Sequence, residues 1–338
     1  MIDLSTDWVG LRLSSPLVVG ASPLCKDFDA LRRCVELGAG AIVMSSLFEE
    51  QIVAEQLAVH RFIDSQVDMD AEAQSFLPDS RVFGLGPAPY LTMLEKLRQS
   101  FDVPIIASLN GTSPGGWCRL AREMADAGAA AIELNLYDVA TSFTESGADL
   151  EARQLKVVSS VVASADVSVI VKLSPFYSSL PAFVRGLEEA GARAVVLFNR
   201  FYQPDIDLEN LDVSRELRYS TNAELPLRLH AVALLAARTS LYLGLTGGVH
   251  SGDDAAKAIL SGAHTFQMAS SLLRLGPDRV KIVLDELYSR FHQIGYRSVT
   301  EARGVLSLER APDPHAWERL NYARLLQSWE PPSTTRPS

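Results

Sequence analysis

One ammonium stands where a core side chain belongs. Val169-Ile170-Val171-Lys172-Leu173 is an apolar run of strand type, and Lys172 interrupts it from within. A charge buried without a partner is costly, so Lys172 needs either an acid or a task. Glu133, inside the apolar run Ala131 to Leu136, is the acid a neighbouring strand can offer, and a structural ion pair is the simplest account. Two chemical accounts compete with it. One is a Schiff-base lysine that attacks a carbonyl; the other is a fixed cation beside a cofactor that becomes negative during reaction.

Polar residues also close the other apolar runs: Ser45 and Ser46, Asn110, Asn135, Asn199 and Thr246. Taken singly, each is an ordinary turn residue. Together with Lys172 they describe one polar rim. Thr246-Gly247-Gly248-Val249-His250-Ser251-Gly252 leads from a strand into a helix, and Met268-Ala269-Ser270-Ser271 closes another strand. Backbone amides at two such ends commonly cradle a phosphate, which favours the fixed-cation account of Lys172. His250 and His264 read as ordinary loop and strand-start residues. Cys25, Cys34 and Cys118 lack metal-ligand spacing, and no metal site, disulfide framework or nucleophile with a paired base is expected.

The elements that must position this rim repeat. Four hand-offs, at Glu36-Leu37-Gly38-Ala39, Asp126-Ala127-Gly128-Ala129, Glu189-Ala190-Gly191-Ala192 and Leu260-Ser261-Gly262-Ala263, end a helix in glycine and enter an apolar strand. Strands are predicted at Pro16 to Gly20, Ala41 to Ser46, Pro104 to Leu109, Ala131 to Leu136, Ser168 to Leu173, Ala194 to Asn199, Leu241 to Thr246 and His264 to Ala269. Helical periodicity fills the intervals at Asp27 to Leu37, Tyr90 to Ser100, Gly116 to Ala127, Asp149 to Ser164, Leu180 to Ala190, Ala223 to Arg238, Gly252 to Leu260 and Pro277 to Gln293. Strict alternation of helices with strands too apolar for a half-exposed sheet predicts an α/β fold, the (β/α)8 TIM barrel. Trp8 to Leu13 reads as an N-terminal hairpin that plugs one end.

Leu47 to Val103 is too long for one loop and helix, so an insertion after strand 2 is expected on the catalytic face, a candidate lid. The barrel is assigned to residues 1–308. Residues 309–338 form a C-terminal extension, loose at its end, in which Trp317, Tyr322, Leu325 and Trp329 suggest an amphipathic helix docked on the barrel or on a second subunit. The formal charge of −10, without a Lys/Arg block, argues against nucleic acid or an anionic membrane as partner. Neither a signal core nor a spanning apolar run is read, so a cytoplasmic protein with a small-molecule substrate is expected.

Here the chain resembles the dihydroorotate dehydrogenase family of FMN-dependent barrels. The resemblance runs to about Leu308 and is carried by Ser15-Pro16-Leu17-Val18-Val19-Gly20-Ala21-Ser22, Ile132-Glu133-Leu134-Asn135-Leu136, Val171-Lys172-Leu173-Ser174-Pro175, Asn199, Thr246-Gly247-Gly248-Val249 and Gln267-Met268-Ala269-Ser270. Ser45 to Gln51 and Leu197 to Asp207 are similar to the bacterial dihydroorotate dehydrogenase-like proteins. The resemblance implies FMN across the barrel mouth, with its phosphate on amides around Gly247, Gly248, Ala269 and Ser270. Ala21 and Ser22 would line the ring, Asn110 and Asn135 would bond its polar edge, Lys172 would sit near N1, and Ser45 and Thr246 would complete the set. Asn199 would face both the ring and the substrate, and Arg200 and Tyr202 would contact the substrate.

The loop after Asn135 departs from the family, reading Leu136-Tyr137-Asp138-Val139-Ala140 where a cysteine or serine base is usual. Asp138 and Tyr137 are the replacement candidates for proton transfer. The family's strand-two lysine appears as Met44, and several orotate contacts have no counterpart. The leading expectation is an FMN oxidoreductase acting on a dihydropyrimidine-like or activated-alkene substrate, within pyrimidine metabolism, exchanging electrons with a soluble acceptor or donor as a homodimer. A lyase or aldolase using Lys172 covalently, and an electron-transfer flavoprotein subunit without independent catalysis, are the alternatives.

Overall fold

Period-two alternation along each strand decides which side chains enter the barrel and which face the helices. A computed structural model describes residues 2–48, 87–111, 117–200, 205–214, 218–310, 314 and 319–329. The staves are β3 (Leu17–Val19), β4 (Ala41–Val43), β6 (Ile105–Asn110), β7 (Ala131–Asn135), β8 (Ser168–Leu173), β9 (Ala194–Leu197), β12 (Tyr242–Thr246) and β13 (Thr265–Met268). Each pairs in parallel with the next in this order, and β13 returns to β3, which closes the ring. The short strand β5 (Leu47–Phe48) prolongs the second stave along β6. The fold is the (β/α)8 barrel.

Two apolar layers hold it. Outside the staves, Leu17, Ile42, Leu109, Leu134, Val171, Leu245 and Phe266 belong to one buried cluster with helix residues such as Leu31, Leu94, Val158, Leu187, Ile259 and Leu287. Each such side chain contributes roughly 1.5–3 kcal/mol by leaving water. Inside, Val18, Ala41, Val43, Ile106, Ala131, Ile170, Ala194 and Val196 cluster with Trp8, Val9 and Leu13 of the antiparallel hairpin β1 (Thr6–Trp8) and β2 (Leu11–Leu13). The hairpin is the plug that the sequence predicted. The four hand-off glycines, Gly38, Gly128, Gly191 and Gly262, all have positive φ, which stops each helix and frees the next strand to start.

Several boundaries differ from expectation. The second stave leaves regular pairing after Val43, and the sixth stops at Leu197, two residues short of Asn199. A 3-10 turn at Asn222–Glu224 precedes the helix α6 (Leu225–Leu235), because Pro226 lies at its start and lacks a donor N–H. A small hairpin, β10 (Asp205–Asp207) with β11 (Asp212–Ser214), was not expected. Most of the proposed lid, residues 49–86, lies outside the described residues, as do Tyr202 and Trp317. The C-terminal helix Arg319–Gln327 forms, but Tyr322, Leu325 and Trp329 are exposed, so these three side chains do not dock on the barrel. Among the described residues no helix is long and apolar enough to cross a membrane.

Candidate active site

Ile170 belongs to the inner cluster, so alternation turns Lys172 inward one layer higher, and Ala131 does the same for Glu133. The two meet inside the barrel. Lys172 Nζ lies 3.3 Å from Glu133 Oε1 and 3.3 Å from Gln267 Oε1, and Gln267 Nε2 donates to Glu133 Oε2. All three are buried, Glu133 at 1% exposure. The expected ion pair therefore exists, and Gln267 makes it a closed triangle. Lys172 and Gln267 also line a cleft at the carboxyl ends of the staves, so the lysine is both paired and presented to a ligand.

That cleft is open to solvent and encloses a volume of about 110 Å3. Its walls bring together Ala21, Asn199, Arg200, Thr246, Gly247, Gly248, Ala269 and Ser270 with Lys172. Asn135 adjoins them through its Oδ1, which accepts from Asn199 Nδ2 at 2.7 Å, and Asn110 is the register partner of Asn135. Ser22, next to Ala21, is buried with no hydrogen-bond partner for Oγ.

The glycine pair turns sharply over a buried arginine. Gly247 and Gly248 have φ of +85° and +88°. A Cβ on Gly247 would lie 2.8 Å from Arg228 Nε, and one on Gly248 would lie 2.8 Å from the backbone N of Leu225. Arg228 is 5% exposed; its Nε donates to the Thr246 carbonyl at 2.6 Å and its Nη2 lies 3.3 Å from Glu224 Oε2. Burial holds its pKa below the ordinary guanidinium value. Glu224 reaches Arg200 as well, at 3.7 Å. On the facing wall, Ser270 Oγ accepts from the Ser220 N–H at 3.0 Å, and Ser271 Oγ is buried without a partner.

Ser45, Tyr137 and Asp138 do not line the cleft. Ser45 is half-buried, beside the Ser46–Ser108 hydroxyl contact of 2.8 Å. Asp138 Oδ2 lies 2.9 Å from Arg153 Nη1, and Arg153 also bonds Glu145 at 3.1 Å, so an arginine clamps the loop after β7. Gln267, Arg228, Ser220 and Ser271 were not among the expected site residues. Arg228 had a signal, a lone cation in the apolar run Leu225-Pro226-Leu227-Arg228-Leu229, and Ser271 ended the stretch Met268-Ala269-Ser270-Ser271 without being singled out; Ser220 had none. Among the described residues no cluster of three His, Cys, Asp or Glu forms a metal site.

The profile of the dihydroorotate dehydrogenase family matches residues 84–291. Dihydroorotate dehydrogenase A (fumarate) of Lacticaseibacillus paracasei is 30% identical over 57% of this chain and 71% of its own length. The catalytic subunit of dihydroorotate dehydrogenase B (NAD(+)) of Pyrococcus abyssi is 26% identical over 89% of this chain and 98% of its own. The NAD-dependent dihydropyrimidine dehydrogenase subunit PreA of Escherichia coli K12 is 22% identical over 92% and 78%. A parallel barrel with a buried lysine and a glycine-walled cleft at its mouth, matched by this profile over most of its length, belongs to the dihydroorotate dehydrogenase family.

Proposed function

We propose that the chain is an FMN-dependent oxidoreductase that moves a hydride between the flavin and a carbon of a dihydropyrimidine-like or activated-alkene substrate. The observation that carries this reading is the meeting of a buried ammonium, Lys172, with a glycine turn, Gly247-Gly248, in one cleft. Three features suit a phosphorylated flavin. The Gly247-Gly248 backbone borders the cleft, Lys172 supplies a cation, and the buried hydroxyl of Ser271 on its wall lacks a partner, as does that of Ser22 beside Ala21. Gly247, Gly248, Ala269 and Ser270 would hold the phosphate; Ala21, Ser22 and Ser45 the ring; Asn110, Asn135 and Thr246 its polar atoms.

When bound, FMN supplies a two-electron centre at N5 whose reduction places negative charge on the N1 side. Lys172 is a preorganised counter-charge for that change and needs no reorientation of solvent. Its engagement by two acceptors suits a fixed cation better than a Schiff-base nucleophile. Asn199, fixed by Asn135, offers both donor and acceptor to an imide-like substrate, with Arg200 and Tyr202 toward an anionic group. Asp138 and Tyr137 are the proposed proton-transfer residues; both stand in the loop after β7, outside the cleft, where Arg153 holds the Asp138 carboxylate. Relatives described as enzyme subunits favour an electron partner that is a separate soluble molecule or subunit.

The test is direct. Purified protein is expected to be yellow and to bleach on photoreduction, while Asp138→Asn keeps the flavin and loses substrate-dependent turnover. A colourless protein trapped by borohydride together with a carbonyl substrate would establish the aldolase reading instead. Retained turnover would remove Asp138 from the mechanism.

A further inference from the structure

A lysine ammonium has three N–H bonds. In this chain two of them face fixed acceptors, Glu133 Oε1 and Gln267 Oε1, each at 3.3 Å. Gln267 in turn spends its amide N–H on the other carboxylate oxygen of Glu133. Each corner of the triangle thereby holds the other two. The three side chains come from β7, β8 and β13, and the contacts between Gln267 and the other two cross the barrel interior, so the triangle is anchored in rigid staves rather than loops. Two of the three tetrahedral N–H directions point at these acceptors, which leaves the third for whatever enters the cleft that Lys172 and Gln267 line.

Charge matters as much as aim. Glu133 is 1% exposed and sits one layer below the rim, so the floor of the cleft carries one buried anion against one buried cation. Swapping either member for a neutral residue changes the net charge beneath the ligand by one unit in a medium where water screens little. Removing Gln267 leaves the net charge unchanged but releases the lysine to close on the carboxylate. The two acceptors thus control different properties of the same ammonium, its compensation and its direction.

We propose that Glu133 and Gln267 are positioning residues that set the redox preference of the bound flavin through Lys172: Glu133 tempers the positive charge, and Gln267 aims it at the cleft. The inference rests on the reading that FMN occupies this cleft. It requires the two variants to move the flavin in opposite directions, which loss of packing alone does not do. Glu133→Gln leaves the ammonium uncompensated, so reduced flavin is favoured over oxidised flavin by about tenfold or more relative to the parent, as expected for loss of an opposite charge next to a titrating or redox group. Gln267→Met, of similar volume, lets Lys172 turn to Glu133 and shifts the same ratio the other way, by a few-fold.

The experiment is a redox titration of the FMN-loaded full chain and of both variants, followed by flavin absorption, with thermal melting as the check on folding. A higher midpoint potential for Glu133→Gln and a lower one for Gln267→Met support the proposal. Parent-like midpoints in folded, flavin-bound variants overturn it and leave the functional reading intact. Should Glu133→Gln fail to fold, the Gln267→Met shift alone decides. If the parent chain takes up no FMN, the functional reading fails first and this inference falls with it.

Discussion

Arg228 lies beneath the turn that begins at Thr246, its Nε donating to the Thr246 carbonyl at 2.6 Å while its Nη1 donates to the Glu224 carbonyl at 2.8 Å. The guanidinium thus joins the start of α6 to the end of β12 and leaves a positive charge behind the glycine pair. A buried carbonyl that loses such a donor costs about 1–3 kcal/mol. Arg228→Met should lose roughly that much stability in denaturant unfolding, and should weaken FMN binding by about tenfold in fluorescence titration as the turn loosens and the cation disappears. Unchanged flavin affinity in a folded Arg228→Met protein would show that the arginine serves only the scaffold.

The two glycines of the turn are not equivalent. Either alanine variant must adopt positive φ, at roughly 1–2 kcal/mol. At Gly247 the new methyl meets the Arg228 side chain, which can be displaced, whereas at Gly248 it meets the backbone of Leu225 at 2.8–2.9 Å, which cannot. Gly248→Ala is therefore the more damaging change in both thermal stability and flavin content. Gly247→Ala should resemble Arg228→Met, and the double variant should be far from additive because both act on one guanidinium. Additive losses would separate the two residues.

How far these features could be read from the chain depends on how local their causes are. The staves fall within a few residues of expectation because the signals are short-range: β4, β7, β9 and β13 each follow a helix-ending glycine, and the other four are marked by their own apolar runs. Lys172 stands out for the same reason, as a charge inside an apolar run. Gln267 does not, since a glutamine near a strand end is unremarkable until ring closure carries β13 back to β3 and sets it across the interior from Glu133. Asp138 shows the converse case. Its loop position suggested proton transfer, and its contact with Arg153, fifteen residues on, depends on how the β7 loop folds back over the following helix. The exposed face of the C-terminal helix had an amphipathic pattern but no sequence feature that named its partner.

Trp8 closes the barrel end away from the cleft. It is 2% exposed, and a Cβ on Gly244 would lie 2.8 Å from its Cη2, so the plug fits only because β12 carries a glycine there. Trp8→Ala should cost about 3–5 kcal/mol by leaving a cavity, and Gly244→Ala should cost a smaller amount by overpacking, about 1–3 kcal/mol. In both, the midpoint potential of bound FMN should stay at the parent value, because the plug and the cleft lie at opposite ends of the staves. A shifted midpoint would mean that the interior transmits strain along its length.

His264 supplies a pH signature that belongs to folding rather than catalysis. Burial, and then the nearby Arg303 cation, push its pKa down to about 3 from 6.5. Its Nδ1 lone pair already accepts the Leu243 N–H at 3.1 Å, which further disfavours a second proton. The folded chain therefore keeps a neutral imidazole while the unfolded chain takes up a proton, so this contribution is complete above about pH 6.5 and is lost as pH falls toward 3. Within that window the histidine should remove up to about 1.4 kcal/mol of stability per pH unit. Denaturant midpoints measured from pH 7 to pH 4 on the parent and on His264→Gln check this. The variant should start less stable at pH 7, having lost a fitted ring, and should decline less steeply with acid; parallel curves would mean that other groups carry the acid sensitivity.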